Sequence, residues 1–414
     1  MVKIILRKGR DESVRRFHPW VFSGSIAQIQ GSPAEGDIVG VYAADGTFLA
    51  AGHYQIGSIA VRILSFDSPV LAPDFWEVML SKALSVRIAA GLARNPEGSE
   101  EIKTQPSSRA TNCYRLVHGE GDNLPGLIID YYDGVCVLQA HSVGMFRSRK
   151  QICAALQKVY GDSLKAVYDK SSGTAPFKAG LDLVDGYMYR REGFTDNSQM
   201  VLENGHKFIV NWTEGQKTGF FLDQRENRAL VERYAGGRRV LNLFCYTGGF
   251  SVYALSGGAL HVDSVDSSAR AMELVEKNIQ LNGFTTGSAE AQHQGLCCDA
   301  IDYVKGIPEG KYDLIIVDPP AFAKHRGAIN NALRAYQRLN AAAISKVAPG
   351  GLVFTYSCSQ VVDKEAFALA VFSAAAQTGR SVRILDRLNQ PADHAVNIYH
   401  PEGEYLKGLL LYVE

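Results

Sequence analysis

An aspartate and a cysteine each follow a predicted strand in the last third of the chain. The motif Asp318-Pro319-Pro320 comes directly after a short apolar run, and Cys358 follows the next predicted strand. Because the carboxyl ends of parallel strands meet at one edge of a sheet, we expect the carboxylate and the thiol to lie on the same edge. A thiol there could act as a nucleophile, and two prolines would hold a rigid loop against a planar substrate. A buried, inert cysteine and a merely stiff strand exit are the alternatives.

A glycine-rich turn follows the first strand of the same region. Gly248 and Gly249 would let the backbone approach a ligand, and Asp266, at the end of the second strand, could accept both hydroxyls of a ribose. Residues 250–253 lack the third glycine of a G-x-G-x-x-G motif, which disfavours a dinucleotide with its pyrophosphate. S-adenosylmethionine, an adenosine without phosphates, fits such a site better.

Other acids and thiols surround this turn. Asp299 follows a predicted third strand and is placed to meet an adenine amino group, although a helix cap is an equally common role for such a residue. Cys245 lies in the glycine turn, and Cys297 and Cys298 lie inside the presumed third strand. We expect these three thiols to be buried and inert.

Strands and helices alternate strictly from about Val240 onward, which predicts a parallel sheet covered by helices on both faces. Ser267 or Ser268 is expected to cap the helix after the second strand, and Gly283 to end it. The other predicted strands of this region cover residues 262–265, 314–317, 352–356, 382–385 and 406–413.

The first 190 residues predict two further sections. Short strands with turn punctuation are typical of a small β barrel over residues 1–72. Residues 73–190 form an α+β section. Its predicted helices cover 74–92 and 144–160, and its predicted strands cover 114–117, 127–131, 135–140, 165–168 and 181–185. The chain is therefore expected to have three domains, 1–72, 73–190 and 191–414.

The composition is that of an ordinary globular protein. With 414 residues, 46% hydrophobic and 21% charged, two or three folded domains are expected and disorder is excluded. The longest apolar runs are strand-sized, so we expect no membrane association. The 7 cysteines form no C-x-x-C, which argues against disulfides and against a metal site. No targeting segment precedes the first strand, and we expect a cytoplasmic protein.

The overall charge gives no sign of nucleic-acid binding, because 43 basic residues balance 43 acidic ones. A local basic patch lies within residues 1–20. It includes Lys8, Arg15 and Arg16 against Asp11 and Glu12. A solvated surface and a nucleic-acid contact are equally good interpretations of this patch.

Longer motifs carry a resemblance to a known family. They are residues 18–23 (HPWVFS), 116–127 (LVHGEGDNLPGL), 215–225 (GQKTGFFLDQR), 241–250 (LNLFCYTGGF), 318–320 (DPP), 356–359 (YSCS), 392–394 (ADH) and 404–408 (EYLKG). The glycine turn with the DPP motif resembles class I S-adenosylmethionine-dependent methyltransferases. The whole set resembles the RlmI family of ribosomal large-subunit RNA cytosine-C5 methyltransferases over nearly the whole chain.

The resemblance implies an N-terminal PUA domain, a small central α+β domain and a C-terminal Rossmann-like methyltransferase sheet. It implies large-subunit ribosomal RNA as the partner, with phosphate contacts from Lys8, Arg15 and Arg16. A homodimer is left open.

The resemblance also implies the residues of the site. S-adenosylmethionine contacts are expected from Phe221, Arg225, Phe244, Tyr246, Thr247, Gly248, Asp266, Asp299 and Asp318. Pro319, Phe322 and His394 are expected to contact the substrate base, with a core role equally plausible for Phe322.

The chemistry implied for Cys358 follows from cytosine, whose C5 is too poor a nucleophile to take a methyl group unaided. A Cys358 thiolate adding to C6 would make C5 enamine-like. Asp318 would hold the N3/N4 edge, and the base must leave its stack to enter the pocket. Related RNA cytosine methyltransferases carry a second cysteine after the two prolines. Here Ala321 takes that position, so the base that removes the C5 proton is unassigned.

Several alternatives remain open at this point. Uracil C5 methylation would use the same cysteine, whereas methylation of a guanine or adenine nitrogen needs no thiol. A non-catalytic RNA-binding module and a small-molecule methyltransferase are further alternatives. The presence of Asp266, Asp318 and Cys358 speaks against the first of these two, and the extra N-terminal domains speak against the second.

Overall fold

The computed structural model describes residues 1–94, 110–176, 180–288, 290–323 and 325–414. The described chain divides into two compact units. The first contains Met1–Val201, Val210–Leu222 and Ala392–Gly403, and the second contains Leu202–Ile209, Asp223–Pro391 and Glu404–Glu414. The division into three domains at residues 73 and 191 remains a prediction.

A six-stranded sheet opens the first unit. Its strands are β1 (Lys3–Leu6), β2 (Trp20–Phe22), β3 (Ile26–Gln30), β4 (Ile38–Tyr42), β5 (Phe48–Tyr54) and β6 (Ile59–Ser65), in the order β2-β6-β5-β4-β1-β3, and the short helix α1 (Glu12–Arg15) follows β1. Only the β1–β4 pair is parallel. Ile4 and Leu6 alternate with more exposed neighbours and bury their side chains in one apolar core with Val39 and Val41.

A five-stranded sheet and two helices complete the regular structure of the first unit up to residue 190. The elements are α2 (Phe75–Ala89), β7 (Cys113–His118), β8 (Leu127–Tyr132), β9 (Val135–Ala140), α3 (Val143–Tyr160), β10 (Ala166–Asp169) and β11 (Gly186–Arg190), with the sheet order β11-β10-β9-β8-β7. The predicted strand over 181–185 is wrong, because these residues have no regular structure. Leu181 and Leu183 pack against the core without joining the sheet, which explains their alternation.

A hairpin that the sequence analysis did not predict follows. It consists of β12 (Ser198–Glu203) and β13 (His206–Asn211). Asn204 and Gly205 form its two-residue turn with φ values of 50° and 82°. Asn-Gly is the dipeptide that favours such a left-handed turn.

A seven-stranded sheet forms the core of the second unit. Its strands are β14 (Arg239–Leu243), β15 (His261–Asp266), β16 (His293–Cys297), β17 (Tyr312–Val317), β18 (Val347–Ser357), β19 (Val382–Asn389) and β20 (Lys407–Val413), in the order β16-β15-β14-β17-β18-β20-β19. The helices are α4 (Arg225–Ala235), α5 (Gly249–Ser256), α6 (Ala269–Leu281), α7 (Ala300–Gly306), α8 (Ile329–Lys346) and α9 (Lys364–Thr378). Within the described residues, no helix is both long and apolar enough to span a membrane.

The prediction of a purely parallel sheet is wrong at one strand. β20 runs antiparallel to both β18 and β19, whereas β14 to β18 are parallel. No α-helix connects β19 to β20, and an antiparallel neighbour needs no helical crossover. The cap prediction is confirmed, since the hydroxyl of Ser268 accepts from the N–H of Ala271. The helix α6 ends at Leu281, directly before Asn282 and two residues before Gly283.

Candidate functional site

The carboxyl ends of the parallel strands form one edge of the large sheet. Leu243 pairs with both Val265 and Val317, and Val317 in turn pairs with Thr355. Neighbouring strands lie about 4.8 Å apart. The next residue along each of these four strands is Phe244, Asp266, Asp318 and Tyr356, and Cys358 lies two residues further. The sheet register therefore brings the predicted carboxylates and the predicted nucleophile to one edge.

The glycine turn is tightly wound. Phe244 and Tyr246 have φ values of 58° and 48°, a region that costs energy for residues other than glycine, and Gly248 has φ 79°. The Asp266 carboxylate accepts from the N–H of Tyr246 at 3.0 Å and from the N–H of Ser268 at 2.9 Å. The turn and the helix that follows β15 thus fix the orientation of Asp266.

Close packing explains the two glycines of the turn. A Cβ on Gly249 would lie 3.0 Å from Cδ of the buried Arg228, and a Cβ on Gly248 would lie 3.1 Å from Val275. The carbonyl of Thr247 accepts from the side-chain amide of the buried Asn278 at 2.9 Å. Arg228, Val275 and Asn278 therefore hold the backbone of the turn in place.

Tyr336 of α8 connects the Asp318 loop to the Cys358 turn. Ser357 donates to its hydroxyl at 2.9 Å, and the backbone of Phe322 makes a second hydrogen bond to it. Burial, together with the neighbouring Cys358 and Asp318, raises the pKa of Tyr336 to about 12, so the phenol stays neutral. No sequence pattern singles out this residue, which lies in the middle of an amphipathic helix.

A second hydrogen bond joins the same two segments, since the hydroxyl of Ser359 donates to the carbonyl of Ala323 at 2.6 Å. Phe322 is partly buried and packs on the ring of Tyr336, with centroids 4.8 Å apart. Pro319 is buried, whereas Asp318 and Cys358 are half-buried. The aspartate and the thiol therefore sit on two short segments that are fixed to each other and still reach solvent.

Lys407 approaches the Cys358 turn from β20. Its ammonium donates to the carbonyl of Ser359 at 2.6 Å and to that of Val362, and the residue is 5% exposed. Burial lowers the pKa of Lys407 to about 8, while the nearby Cys358 opposes the shift. Lys407 belongs to the motif at residues 404–408, but the sequence analysis predicts no role for it.

Two of the predicted cofactor residues have other partners in the second unit. Arg225 is fully buried, and its Nε lies 3.5 Å from the carboxylate of Glu203. Asp299 caps α7, because one of its oxygens accepts from the N–H groups of Ile301 and Asp302 at 2.8 and 2.9 Å. Their contacts with a cofactor remain predictions.

The expectation for three other cysteines is partly wrong. Cys297 is the last residue of β16 and Cys298 follows it, and both are exposed. Cys245 is buried as expected, and burial raises the pKa of its thiol well above the ordinary value. The pattern could not tell the exposed end of an edge strand from its interior.

Two predicted site residues belong to the first unit. Phe221 is half-buried with the ammonium of Lys217 4.3 Å from its ring centre. His394 is 1% exposed, packs 5.0 Å from the ring of His118, and has Nδ1 3.2 Å from the carboxylate of Asp393. Burial does not favour direct contact of His394 with a substrate, and that contact remains a prediction.

The basic patch also lies in the first unit. Lys8, Arg15 and Arg16 are all exposed. Arg15 pairs with Asp11 at 2.6 Å and Arg16 with Glu12 at 2.5 Å. Such exposed pairs are weak, so phosphate groups could compete for both guanidinium groups.

Exposed aromatic side chains occur in the same unit. Phe17, Phe22 and Tyr399 are 48%, 43% and 50% exposed, and the rings of Phe17 and Tyr399 lie 5.3 Å apart. These three residues are called the aromatic patch below. The sequence analysis did not predict this patch, although Phe17 directly precedes the motif at residues 18–23 and Phe22 lies within it.

Three potential metal ligands approach each other in the first unit, where no metal was expected. The ligand atoms of His18, His400 and Glu402 lie within 4.8 Å of one another. Nδ1 of His18 accepts from the N–H of Trp20 at 3.2 Å, and the ring of His400 packs 4.3 Å from that of Trp20. Packing on Trp20 accounts for both imidazoles without an ion.

Comparison with family models gives two matches. The model of S-adenosylmethionine-dependent methyltransferases matches residues 188–410, and the model of a PUA-like domain matches residues 4–66. The predicted fold class, with a PUA-like N-terminus and a C-terminal methyltransferase sheet, is confirmed.

Curated relatives cover almost the whole chain. Ribosomal RNA large subunit methyltransferase I of Aeromonas hydrophila subsp. hydrophila is 39% identical over 413 residues, which is 99% of this chain and 98% of the relative. The protein of the same name from Aeromonas salmonicida is 37% identical over 414 residues and 99% of each chain. The one from Pseudoalteromonas translucida is 36% identical and covers 98% of each.

Solved structures share the fold. A methyltransferase complexed with SAH has a TM-score of 0.82 at 24% identity and matches over 100% of both chains. An S-adenosylmethionine-dependent methyltransferase from Streptococcus mutans has a TM-score of 0.80 at 23% identity, again over 100% of both chains.

Proposed function

We propose, because the chain belongs to the S-adenosylmethionine-dependent methyltransferases and to the ribosomal RNA large subunit methyltransferase I family, that it methylates C5 of a cytosine in large-subunit ribosomal RNA. The observation that supports this reaction most is the joint placement of Asp318 and Cys358. Both are half-buried at one sheet edge, on segments joined through Tyr336.

The residues of the glycine turn fit S-adenosylmethionine. Asp266 is held by two backbone N–H groups at the end of β15, where a carboxylate can accept ribose hydroxyls. The turn lacks the third glycine that a pyrophosphate needs. Phe244, Tyr246 and Gly248 of the turn would hold the adenosine part. When bound, this cofactor supplies an electrophilic methyl group on a sulfonium.

The protein's own contribution is activation of the base. The Cys358 thiolate adds to C6 of cytosine, the C6–S bond forms, and electron density moves to C5. After methylation, loss of the C5 proton and cleavage of the C6–S bond release 5-methylcytosine and return the electron pair to sulfur. Asp318 holds the N3/N4 edge and favours protonation of N3. Ala321 offers no second thiol for removal of the C5 proton.

The RNA contacts belong to the same proposal. Lys8, Arg15 and Arg16 would bind phosphates without reading sequence. The aromatic patch would stack unpaired bases. All seven cysteines are free thiols, which supports a cytoplasmic location. A homodimer of the chain stays an open alternative.

Transfer of labelled methyl groups tests the reaction. Wild type, Cys358→Ala and, as a matched control, Cys298→Ala are incubated with S-adenosylmethionine and unmodified large-subunit ribosomal RNA, which is then digested to nucleosides. We expect label in 5-methylcytosine from wild type and Cys298→Ala, and a loss of more than about 1000-fold in Cys358→Ala. Label in 5-methyluridine or in a nitrogen-methylated purine, or activity retained in Cys358→Ala, would contradict the proposal.

A further inference from the structure

Lys407 is a buried cation directly behind the Cys358 turn. It is the first residue of β20 and pairs with Ser357, the last residue of β18. Its Nζ donates to the carbonyls of Ser359 and Val362, which lie on either side of the bend that leaves Cys358. The lysine therefore holds the backbone of the segment that carries the thiol.

The ammonium lacks a carboxylate partner. Within the described residues, no aspartate or glutamate oxygen lies within ion-pair distance of Lys407 Nζ, and two of its three N–H groups are used by carbonyls. The other groups that act on it electrostatically are Asp363, Glu404, Lys364 and Cys358. Since a buried charge is costly without an opposite one, the partner must come from this set.

The negative members of this set differ in their other contacts. Asp363 caps α9 by accepting from the N–H of Ala366 at 2.7 Å, and Glu404 pairs with Lys364. Cys358 directly precedes Ser359, whose carbonyl the ammonium binds, and it is the group that favours the charged form of Lys407 most strongly. The ionised form of Cys358 is therefore the nearest balance for the ammonium along this turn.

We propose that Lys407 is a positioning residue that holds Cys358 as a thiolate, through the charge of an ammonium fixed by two carbonyls of the same turn. The inference rests on the proposed role of Cys358 as the nucleophile. It gives that role the activation that a thiol needs, because the thiolate, not the thiol, attacks carbon. Lys407 transfers no proton in this scheme: its ammonium balances the thiolate before addition to C6 and again on release, and the sulfur is uncharged in between.

Two other groups near Cys358, Asp318 and Tyr336, do not stabilise a thiolate. Asp318 is acidic and disfavours a second negative charge. Tyr336 remains neutral at physiological pH, because burial raises its pKa to about 12. Lys407 is the cation that faces the turn, and burial lowers its pKa to about 8. The thiolate should therefore be favoured at neutral pH and lose its partner above about pH 8.

Alkylation of the free enzyme tests the inference without RNA or cofactor. Full-length protein is treated with iodoacetamide from pH 5 to 9, and the rate at each cysteine is followed by peptide mass spectrometry. N-acetylcysteine added to the same sample gives the reference rate of an ordinary thiol. We expect Cys358 to show its inflection at least about one pH unit below this reference.

Variants then identify the lysine as the cause. Lys407→Met should move the Cys358 inflection upward by about one pH unit and slow its alkylation at pH 7 about tenfold, because one pKa unit is a tenfold change in thiolate. Lys407→Arg keeps the charge and should restore most of the rate. Lys364→Met, at the neighbouring exposed lysine, should leave the Cys358 inflection unchanged.

Two results would overturn the inference. One is a Cys358 inflection in the wild type at or above that of N-acetylcysteine, a measurement that needs no variant to fold. The other is an unchanged inflection in a folded Lys407→Met. The proposed function is tested by a different experiment. Methylation by Cys358→Ala would show that Cys358 is not the nucleophile, whereas the alkylation profile alone tests whether Lys407 stabilises a Cys358 thiolate.

Discussion

The two compact units use equally recognisable motifs for different purposes. In the first unit, residues 116–127 and 392–394 join a buried network of hydrogen bonds around the Arg87–Asp122 ion pair. Arg87 donates to the carboxylate of Asp122 at 2.8 Å and to the carbonyl of Asp393 at 2.7 Å. The carboxylate of Asp393 accepts from the N–H of Arg115 at 2.9 Å. The side chains of these motif residues are paired within the unit and stabilise its fold.

In the second unit, hydrogen bonds orient several motif residues, and their carboxylate and thiol groups still reach solvent. Asp266 is held by backbone N–H groups, and the Cys358 turn is held by the hydroxyls of Ser357 and Ser359. Asp318 and Cys358 are half-buried at an open edge. A motif's length in sequence therefore does not tell whether its residues do chemistry or hold the fold. The exposure of their carboxylates distinguishes the two cases, because Asp122 and Asp393 are buried whereas Asp266 and Asp318 are half-buried.

The largest expected effect is on the stability of the first unit. Arg87→Leu leaves the buried carboxylate of Asp122 without its cation, which should lower the free energy of unfolding by about 3–5 kcal/mol. Urea unfolding, monitored by hydrogen exchange in β7, measures this change in the free energy of unfolding. The control is Lys158→Ala, which breaks the exposed pair with Glu77 and should change stability by less than about 1 kcal/mol. Equal effects of both variants would contradict a structural role for the motif.

Acid should destabilise the first unit more than the second. Burial lowers the pKa of His53 in the first unit and of His293 in the second to about 4, and it lowers the pKa of the buried His400 of the first unit below its ordinary value. The unfolded chain protonates these imidazoles near pH 6.5, so it binds more protons than the folded chain between pH 6.5 and 4. The free energy of unfolding therefore falls as pH falls through this window, by at most about 3 kcal/mol per imidazole.

Hydrogen exchange at pH 7 and pH 4.5 measures this difference. We expect the six-stranded sheet to lose protection before the seven-stranded one, and His53→Gln to reduce the pH dependence of the first unit. An unchanged pH slope in His53→Gln would refute the assignment.

A smaller change in free energy is expected for cofactor binding, which we assign to the second unit. Asp266→Asn removes a charged acceptor from the glycine turn and should weaken S-adenosylmethionine binding by about 10- to 100-fold, equivalent to about 1.5–3 kcal/mol. Titration calorimetry measures it. Asp299→Asn is the matched variant, because Asp299 also accepts from two backbone N–H groups. A loss as large as that for Asp266→Asn would place Asp299 at the adenine, as predicted from the sequence.

The smallest effect is expected on RNA affinity. Phe17→Ala or Tyr399→Ala should weaken binding of single-stranded RNA by about 1 kcal/mol, because each removes one stacking surface. Filter binding at fixed salt measures it. Phe372→Ala, at a phenylalanine of the second unit that is 66% exposed, should have no effect. If all three variants bind alike, the aromatic patch has no role in RNA binding.

Much of the local structure was predictable. The strands at 135–140 and 59–64, the Ser268 cap and the glycine turn follow from periodicity and capping chemistry alone. The hairpin at Asn204-Gly205 carried the expected turn dipeptide and was still missed. Residues 181–185 were assigned wrongly, because alternating leucines can face a core without pairing in a sheet.

The sequence by itself determined most of the strands and helices, the fold class and the edge on which Asp266, Asp318 and Cys358 lie, because these depend on short-range pattern and on the direction of parallel strands. Only the tertiary structure decided the direction of β20 and which charged groups are buried and paired. Tyr336 and Lys407 reach the Cys358 turn from α8 and from β20, the antiparallel strand of the seven-stranded sheet, 22 residues before and 49 residues after the thiol. Contacts over such separations depend on how elements pack, and no local pattern encodes them.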